Sequence, residues 1–194
     1  MVVVACKVVW AKLSCGSKCL MASESMLNKW DYSGIDSACY SDNDQESYKK
    51  SAKFLGDSVE DWGCGTCWSK RFFKKYRGID GSFHKNVDEV VDLVKYTSDV
   101  DNILMRQVLE LNEEWREILE NVKKSFRKKF CLVIFTPFVD KTRIGEVEGN
   151  KKVIYFNKQD VLDYFPKQKF KVLEEIVKTK QGYNQDWLLY VERL

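Results

Sequence analysis

Two glycines and two carboxylates stand close together in the stretch VEDWGCGTCWSKRFFKKYRGIDGS, residues 59–82. Gly63 and Gly65 follow the acid Asp61, and Asp80 ends the next apolar run. A glycine turn lets the backbone approach a ligand closely, because no Cβ intervenes. A carboxylate offers two acceptor oxygens, which suit the paired hydroxyls of a ribose. The stretch therefore predicts a ligand that contains a nucleoside.

Two cofactors fit this outline from the residues alone. A dinucleotide site requires G-x-G-x-x-G, and its last glycine position is Trp68 here, which would block a pyrophosphate. S-adenosylmethionine has a ribose but no phosphate, so it tolerates Asp61 beside the turn. A glycine turn with no ligand remains the structural alternative.

The elements that must position these residues alternate between strand and helix. We expect a helix over residues 44–55, and another with Trp68, Phe72, Phe73 and Tyr76 on one face. A third helix should be capped by Asn112 and include Phe126, and residues 160–165 also look helical. The predicted strands are SVEDW, YRGID, VDNILM, FCLVIFTPF and WLLYVE; VDEVVDL and FKVLEEIV are ambiguous, and residues 139–152 read as a loop. Such alternation predicts an α/β fold with a doubly wound, mostly parallel sheet.

Length and composition restrict the class of protein. The chain has 194 residues and a net charge of +3, which indicates one domain and is too small a charge to argue for nucleic acid. Residues 1–43 read as an N-terminal segment, a possible cover for an acceptor site, and residues 44–194 as the domain. We find no signal peptide and no apolar run long enough for a membrane span. Seven cysteines without a disulfide pattern favour reduced thiols and a cytoplasmic location.

The motifs EDWGCGTC and GIDGS resemble motifs I and II of the class I S-adenosylmethionine-dependent methyltransferases. VVDL resembles the third motif, and DNILMRQVLELN the fourth strand with the run after it, often written H-V-L-E-H. The resemblance covers residues 44–194. It implies a seven-stranded, mostly parallel Rossmann-like sheet with helices on both faces, and S-adenosylmethionine as the cofactor.

The resemblance also implies a cofactor-binding set along one edge of the sheet. Its members are Asp61, Trp62, Gly63, Cys64, Gly65, Asp80, Gly81, Asp92, Leu93, Met105 and Arg106. Within it, Asp80 would take the ribose hydroxyls, and Asp92 with the Leu93 amide would read adenine. The turn at residues 63–65 would line the methionine part, and Asp61 would help to hold the ammonium group. Residues 105–106 would flank the methionine end.

The sequence departs from the family pattern at three positions. The third glycine is Cys67, and the two histidines around V-L-E are Gln107 and Leu111. In addition, only fifteen residues separate Gly65 from Asp80, so the helix between them must be short. The sequence identifies no catalytic residue and no metal ligand. We expect methyl transfer to an oxygen or nitrogen of a small molecule, mainly by positioning. Guanine N7 of an RNA cap and a non-catalytic binding module are the alternatives, and the oligomeric state stays open.

Two further clusters are interpreted as having no separate function. Cys64 and Cys67 form C-x-x-C, but a zinc or redox role would require them to lie outside the cofactor turn. The basic residues 123–129 should lie at the sheet edge opposite the ligand, as a solvated helix end.

Overall fold

The computed structural model describes residues 45–147, 151–178 and 185–194. The predicted N-terminal segment, residues 1–43, lies outside the described residues.

Seven of the strands form one sheet. In chain order the strands are β1 Ser58–Trp62, β2 Lys75–Asp80, β3 Glu89–Val90, β4 Val100–Arg106, β5 Phe126–Phe135, β6 Arg143–Val147, β7 Lys151–Tyr155, β8 Phe170–Lys178 and β9 Gln185–Arg193. The main sheet has the order β3-β2-β1-β4-β5-β9-β8, and β6 pairs with β7 in a separate hairpin. β3, β2, β1, β4 and β5 run parallel, whereas β9 is antiparallel to both β5 and β8. The predicted doubly wound, mostly parallel seven-stranded sheet is confirmed.

The two faces of the sheet bury alternate side chains of each strand, which is the expected strand periodicity. Ile103 and Met105 of β4 pack into one cluster, and Leu104 between them packs into the other. Helices α2 (Trp115–Ser125) and α3 (Lys158–Leu162) cover the first face. Helix α1 (Gln45–Leu55) and a short 3-10 helix, Trp68–Phe72, cover the second. Helices therefore lie on both faces, as predicted.

The helix predicted between β1 and β2 is short, as expected, but it is a 3-10 helix and does not reach Tyr76. Only the 3-10 helix forms there, and Tyr76 belongs to β2 instead. The amides of Lys74 and Lys75 both donate to the carbonyl of Asp57, which starts β2 beside the beginning of β1. Too few residues then remain after the glycine turn for a full α-helix.

Three other predictions about elements are also corrected. Asn112 does not cap α2: its side chain donates to the carbonyl of Val108, and Glu114 stands at the cap position. Phe126 is the first residue of β5, not part of the helix. Residues 139–152 are not a plain loop, since β6 and the start of β7 lie within them. The ambiguous run FKVLEEIV is strand β8.

Candidate functional site

The turn after β1 is built from backbone conformations that favour glycine. Gly63 has φ 74°, Gly65 has φ 56°, and Cys67, at the third glycine position of the family pattern, has φ 61°. The amides of Gly63 and Cys64 donate to the carbonyl of Ile79 at 2.8 and 3.0 Å. These bonds fix the turn against the end of β2, at the carboxyl edge of the parallel strands, where α/β sheets bind their ligands.

Asp80, at the end of β2, lies directly against this turn. Its Oδ2 accepts a hydrogen bond from the amide of Gly65 at 2.8 Å, and its Oδ1 accepts one from the amide of Ser82, also at 2.8 Å. The residue is only 3% exposed. Gly81 connects Asp80 to Ser82 and is half-buried. These two amide donors hold the carboxylate of Asp80 beside the turn.

The two glycines of the turn differ in the space around them. A Cβ added at Gly63 would lie 2.3 Å from Cγ2 of Val108, so this glycine is required by a packed protein side chain. A Cβ added at Gly65 would meet nothing within 4 Å. The open space for a ligand therefore lies over Gly65, next to Asp80.

Two polar atoms near the turn are buried without a hydrogen-bond partner: Oγ1 of Thr66 and Nε1 of Trp68. A buried polar group that lacks a partner is costly, and such groups concentrate where a ligand completes the structure. The residues of the turn thus fit a polar ligand at Gly65.

Asp61 points to the face of the sheet covered by α1 and is 3% exposed. Its Oδ2 accepts hydrogen bonds from the hydroxyls of Ser69 and, at 2.8 Å, Tyr76. Burial raises the pKa of Asp61 to about 6, and the two hydroxyl donors only partly offset this rise. Neighbouring Trp62 is fully buried on the opposite face, and its indole N–H donates to Glu60 at 2.8 Å.

Asp92 and Leu93 follow the short strand β3. Oδ1 of Asp92 accepts a hydrogen bond from the amide of Val94 at 3.1 Å, and Lys95 lies 3.3 Å from its Oδ2. Leu93 is buried in the main core cluster. The end of β3 pairs with the end of β2, so these residues share an edge of the sheet with Asp80.

Met105 and Arg106 end β4, which pairs with β1 through Trp62 and Met105. Met105 is fully buried in the core. The guanidinium of Arg106 lies 3.5 Å from the carboxylate of Asp186 and 4.4 Å from the ring centroid of Tyr48. Arg106 also donates to the side chain of Gln107 at 2.8 Å.

Sequence reasoning missed two acids at this edge, Glu110 and Asp186. Glu110 follows β4 and is 5% exposed; its Oε1 accepts from the amide of Phe135 at 2.8 Å, and its Oε2 is buried without a hydrogen-bond partner. Burial raises the pKa of Glu110 to about 7. The position of Glu110 in the V-L-E run after β4 could have predicted that it lies at this edge. Nothing in the sequence around Asp186 could have predicted this, because only the antiparallel pairing of β9 with β5 brings Asp186 to the edge.

The site residues predicted from sequence include three groups. The turn and Asp80 are in direct contact, and Met105 with Trp62 lies in the adjoining strands as buried core. Asp92 and Leu93 lie one strand further out. No group of three or more His, Cys, Asp or Glu residues that could hold a metal ion occurs within the described ranges.

The basic run lies at the opposite edge, as the sequence predicted. Arg127 and Lys128, at the start of β5, both pair with Asp101 at the start of β4, at 3.1 and 2.7 Å. Lys129 donates to the carbonyl of Phe54 at 2.9 Å. These cations therefore have local partners.

In the part of the chain that the structure describes, no helix is long and apolar enough to cross a membrane.

Comparison with known proteins gives matches in structure only. No family model matches the chain, and no curated protein matches its sequence. Among solved structures, the chain is similar to the 1,6-didemethyltoxoflavin-N1-methyltransferase of Burkholderia thailandensis, with a TM-score of 0.63 and 12% identity over 77% of this chain and 79% of that one. That enzyme was crystallised with 1,6-didemethyltoxoflavin and S-adenosylhomocysteine.

Two further solved structures show the same similarity. A putative S-adenosylmethionine-dependent methyltransferase from Listeria monocytogenes gives a TM-score of 0.55 at 12% identity, over 76% of this chain and 98% of that one. The magnesium protoporphyrin IX methyltransferase of Synechocystis, with bound S-adenosylhomocysteine, gives 0.54 at 14% identity, over 75% and 78%. At these identities the similarity concerns the fold.

Proposed function

We propose that this chain, which has the fold of the class I S-adenosylmethionine-dependent methyltransferases, binds S-adenosylmethionine and transfers its methyl group to an oxygen or nitrogen of a small molecule. The observation that carries the proposal is the contact between the Gly65 amide and the Asp80 carboxylate at the carboxyl edge of β1 and β2. It joins a left-handed glycine turn to a buried acid at the position where this fold binds a nucleoside.

The residues present fit the cofactor as follows. Asp80 accepts the ribose hydroxyls, and the backbone at Gly65 offers the open space beside them. Asp92 and the Leu93 amide serve the adenine. Asp61 takes its two hydroxyl donors at Oδ2, so the proposed contact with the ammonium group of the cofactor falls to Oδ1.

The proposed mechanism relies on positioning rather than on a strong base. The cofactor supplies an electrophilic methyl group on a sulfonium centre. The chain holds the acceptor in line and excludes water, which can provide much of the acceleration. The one histidine of the sequence, His84, follows Asp80 in the chain, and its Nδ1 accepts from the Asn86 amide at 3.2 Å. We therefore assign it no proton transfer from the acceptor.

A small-molecule acceptor is favoured over RNA. The basic run at residues 127–129 is engaged with acids and a carbonyl at the wrong edge of the sheet, so it does not offer a phosphate-binding surface beside the site. The solved methyltransferases of similar fold include one crystallised with a small heterocyclic acceptor. In this proposal residues 1–43 cover the acceptor, and the free thiols of Cys64, Cys67 and Cys131 agree with a reducing, cytoplasmic location.

Isothermal titration with S-adenosylhomocysteine tests the cofactor assignment. Asp80→Ala should weaken binding by about 2 kcal/mol, roughly thirtyfold, as expected for the loss of charge-assisted hydrogen bonds. Asp57→Ala is the matched control, because this acid is exposed at the amino end of β1 and pairs only with Lys74 in the described structure. Circular dichroism should show that both variants remain folded.

Two results would contradict the proposed cofactor, and two others would contradict the proposed reaction. Absence of S-adenosylhomocysteine binding to the wild-type protein, or tighter binding of a nicotinamide dinucleotide, would refute the cofactor. Binding without methyl transfer to any compound in a broad panel of small hydroxyl, amine and heterocycle acceptors would favour a non-catalytic binding module. Transfer to capped RNA but to no small molecule would favour the guanine N7 reaction.

A further inference from the structure

The two cysteines of the glycine turn lie against each other. Their Sγ atoms are 3.3 Å apart, and the amide of Cys67 donates to the carbonyl of Cys64 at 2.9 Å. The sequence argued against a redox role because the pair lies within the cofactor turn. In the structure, the glycine turn itself brings the two thiols into contact.

We infer that Cys64 and Cys67 are a modification site: a dithiol that a low-molecular-weight disulfide such as oxidised glutathione converts to an intramolecular disulfide, which weakens ligand binding at the turn. The second half of this inference rests on the proposed cofactor site. The first half rests only on the placement of the two thiols.

The reaction balances as a thiol–disulfide exchange. One thiolate of the pair attacks a sulfur of oxidised glutathione, forming a mixed disulfide and releasing one glutathione thiolate. The second protein sulfur then attacks the mixed disulfide at the protein sulfur, the S–S bond of the protein forms, and a second glutathione thiolate leaves. The two thiol protons of the protein end on the two released glutathiones, so the protein dithiol is oxidised and glutathione disulfide is reduced.

The surroundings of the pair make it more reactive than the third described thiol. Cys64 is half-buried and reachable from solvent, whereas Cys131 is fully buried between strands and contacts Ser51. The contact between the two sulfurs lowers the pKa of Cys67 and, together with burial, raises the pKa of Cys64, so Cys67 is the sulfur of the pair that favours a thiolate. Burial raises the pKa of Cys131 to about 12, so this thiol should stay protonated and inert.

Closing the bridge must change the turn that carries the Asp80 contact. A disulfide holds its sulfurs about 2.05 Å apart, well below the 3.3 Å seen between the thiols. The peptide of Gly65 lies inside the ring that the bridge would close, and its amide is the donor to Asp80. Cys67 already has φ 61°, and Gly78 packs so closely that a Cβ there would lie 2.9 and 3.0 Å from the two sulfurs. We therefore expect the contraction to move Gly65 relative to Asp80.

The test equilibrates the full chain in buffers with increasing ratios of oxidised to reduced glutathione. Free thiols are then alkylated, and mass spectrometry maps the peptides. We expect a bridge between Cys64 and Cys67 that forms reversibly, while Cys131 is alkylated only after denaturation. Titration of the reduced and bridged forms with S-adenosylhomocysteine should show about tenfold weaker binding to the bridged form, restored by dithiothreitol.

Two variants make the affinity change attributable to the bridge. Cys64→Ser, whatever its own affinity, should bind S-adenosylhomocysteine equally in oxidising and reducing buffer. Cys131→Ala should keep the full redox response of the wild type.

Each outcome decides a separate part of the inference. Thiols that stay unbridged, or that pair with other cysteines, overturn the modification site. A bridge that leaves the affinity unchanged overturns its effect on the ligand. If the reduced protein does not bind S-adenosylhomocysteine, the proposed function fails instead. The amide hydrogen exchange of Gly65 then shows whether the bridge changes the turn. An exchange rate that is the same in the reduced and bridged forms overturns the inferred change of the turn.

Discussion

Gly63→Ala is the substitution whose cost the structure allows to be worked out most directly. The new methyl group would enter a site where Cγ2 of Val108 is 2.3 Å away and Cγ1 is 3.0 Å away. Gly63 also has φ 74°, a left-handed conformation. Two separate penalties therefore act on this one residue, and Gly65 offers a control that carries only one of them.

The magnitudes follow from these two penalties. A left-handed conformation costs a non-glycine residue about 1–2 kcal/mol. Overpacking against the buried side chain of Val108 adds about 1–3 kcal/mol. The reduced entropy of the unfolded chain offsets about 0.4–1 kcal/mol of this cost, so Gly63→Ala should lower the free energy of unfolding by about 1–4 kcal/mol. Gly65→Ala has φ 56° and open space around its Cβ, so it should cost only about 1 kcal/mol, because the reduced entropy of its unfolded chain offsets part of the strain.

The assay is urea unfolding followed by circular dichroism on both variants and on the double mutant Gly63→Ala/Val108→Ala. Removing the Val108 methyl groups should recover the overpacking part, seen as a coupling energy of about 1–3 kcal/mol between the two sites. Equal costs at Gly63 and Gly65, or no coupling with Val108, would refute the packing argument and leave backbone strain as the only reason for Gly63.

Two further predictions concern charge. Burial raises the pKa of Glu110 from 4.5 to about 7, so the folded state binds this proton more tightly than the unfolded state does. The contribution of Glu110 to the free energy of unfolding should therefore fall by about 3 kcal/mol as pH rises from about 4.5 to 7. In urea unfolding at pH 4, 5.5 and 7.5, Glu110→Gln should lose about 3 kcal/mol less stability than the wild type, while the part due to Asp61, whose pKa burial raises to about 6, should remain. Exposed Glu117→Gln should keep the wild-type slope, and a wild-type slope in Glu110→Gln would contradict the assignment. Replacing Lys128 and Lys129 with Gln should cost about 1–2 kcal/mol of stability, because the exposed Lys128–Asp101 pair contributes little and Lys129 loses its hydrogen bond to the carbonyl of Phe54; S-adenosylhomocysteine affinity should be unchanged. RNA binding that disappears in this double variant would instead support a nucleic-acid acceptor.

The sheet and its strand types could be predicted because they are encoded locally. In FCLVI of β5, every side chain meets one or the other core face, and a continuous apolar run is what a buried parallel strand requires. The glycine turn was equally visible, since positive φ at residues 63 and 65 restricts the residue type at each position by itself. The contact of this turn with Asp80 followed from the rule that parallel strands end at one edge.

Elements that depend on partners far along the chain could not be predicted in the same way. The helix expected after the turn gave way to a 3-10 helix, because the start of β2 is set by pairing with β1 and not by the aromatic spacing of residues 68–76. The assignment of FKVLEEIV as β8 required β9 as its partner. The 139–152 region contains most of a hairpin, which its mixed charges did not indicate.

The candidate site divides along the same line. The types and order of its residues, a glycine turn followed by two acids at strand ends, are properties of the sequence. Which glycine faces open space and which faces Val108, that Glu110 is buried beside β5, and that two thiols of the turn lie 3.3 Å apart, depend on the tertiary structure. Burial, pKa and contact distance arise from groups that meet only when distant strands pair, so the sequence by itself determined where chemistry is possible and the fold decided which atoms are available for it.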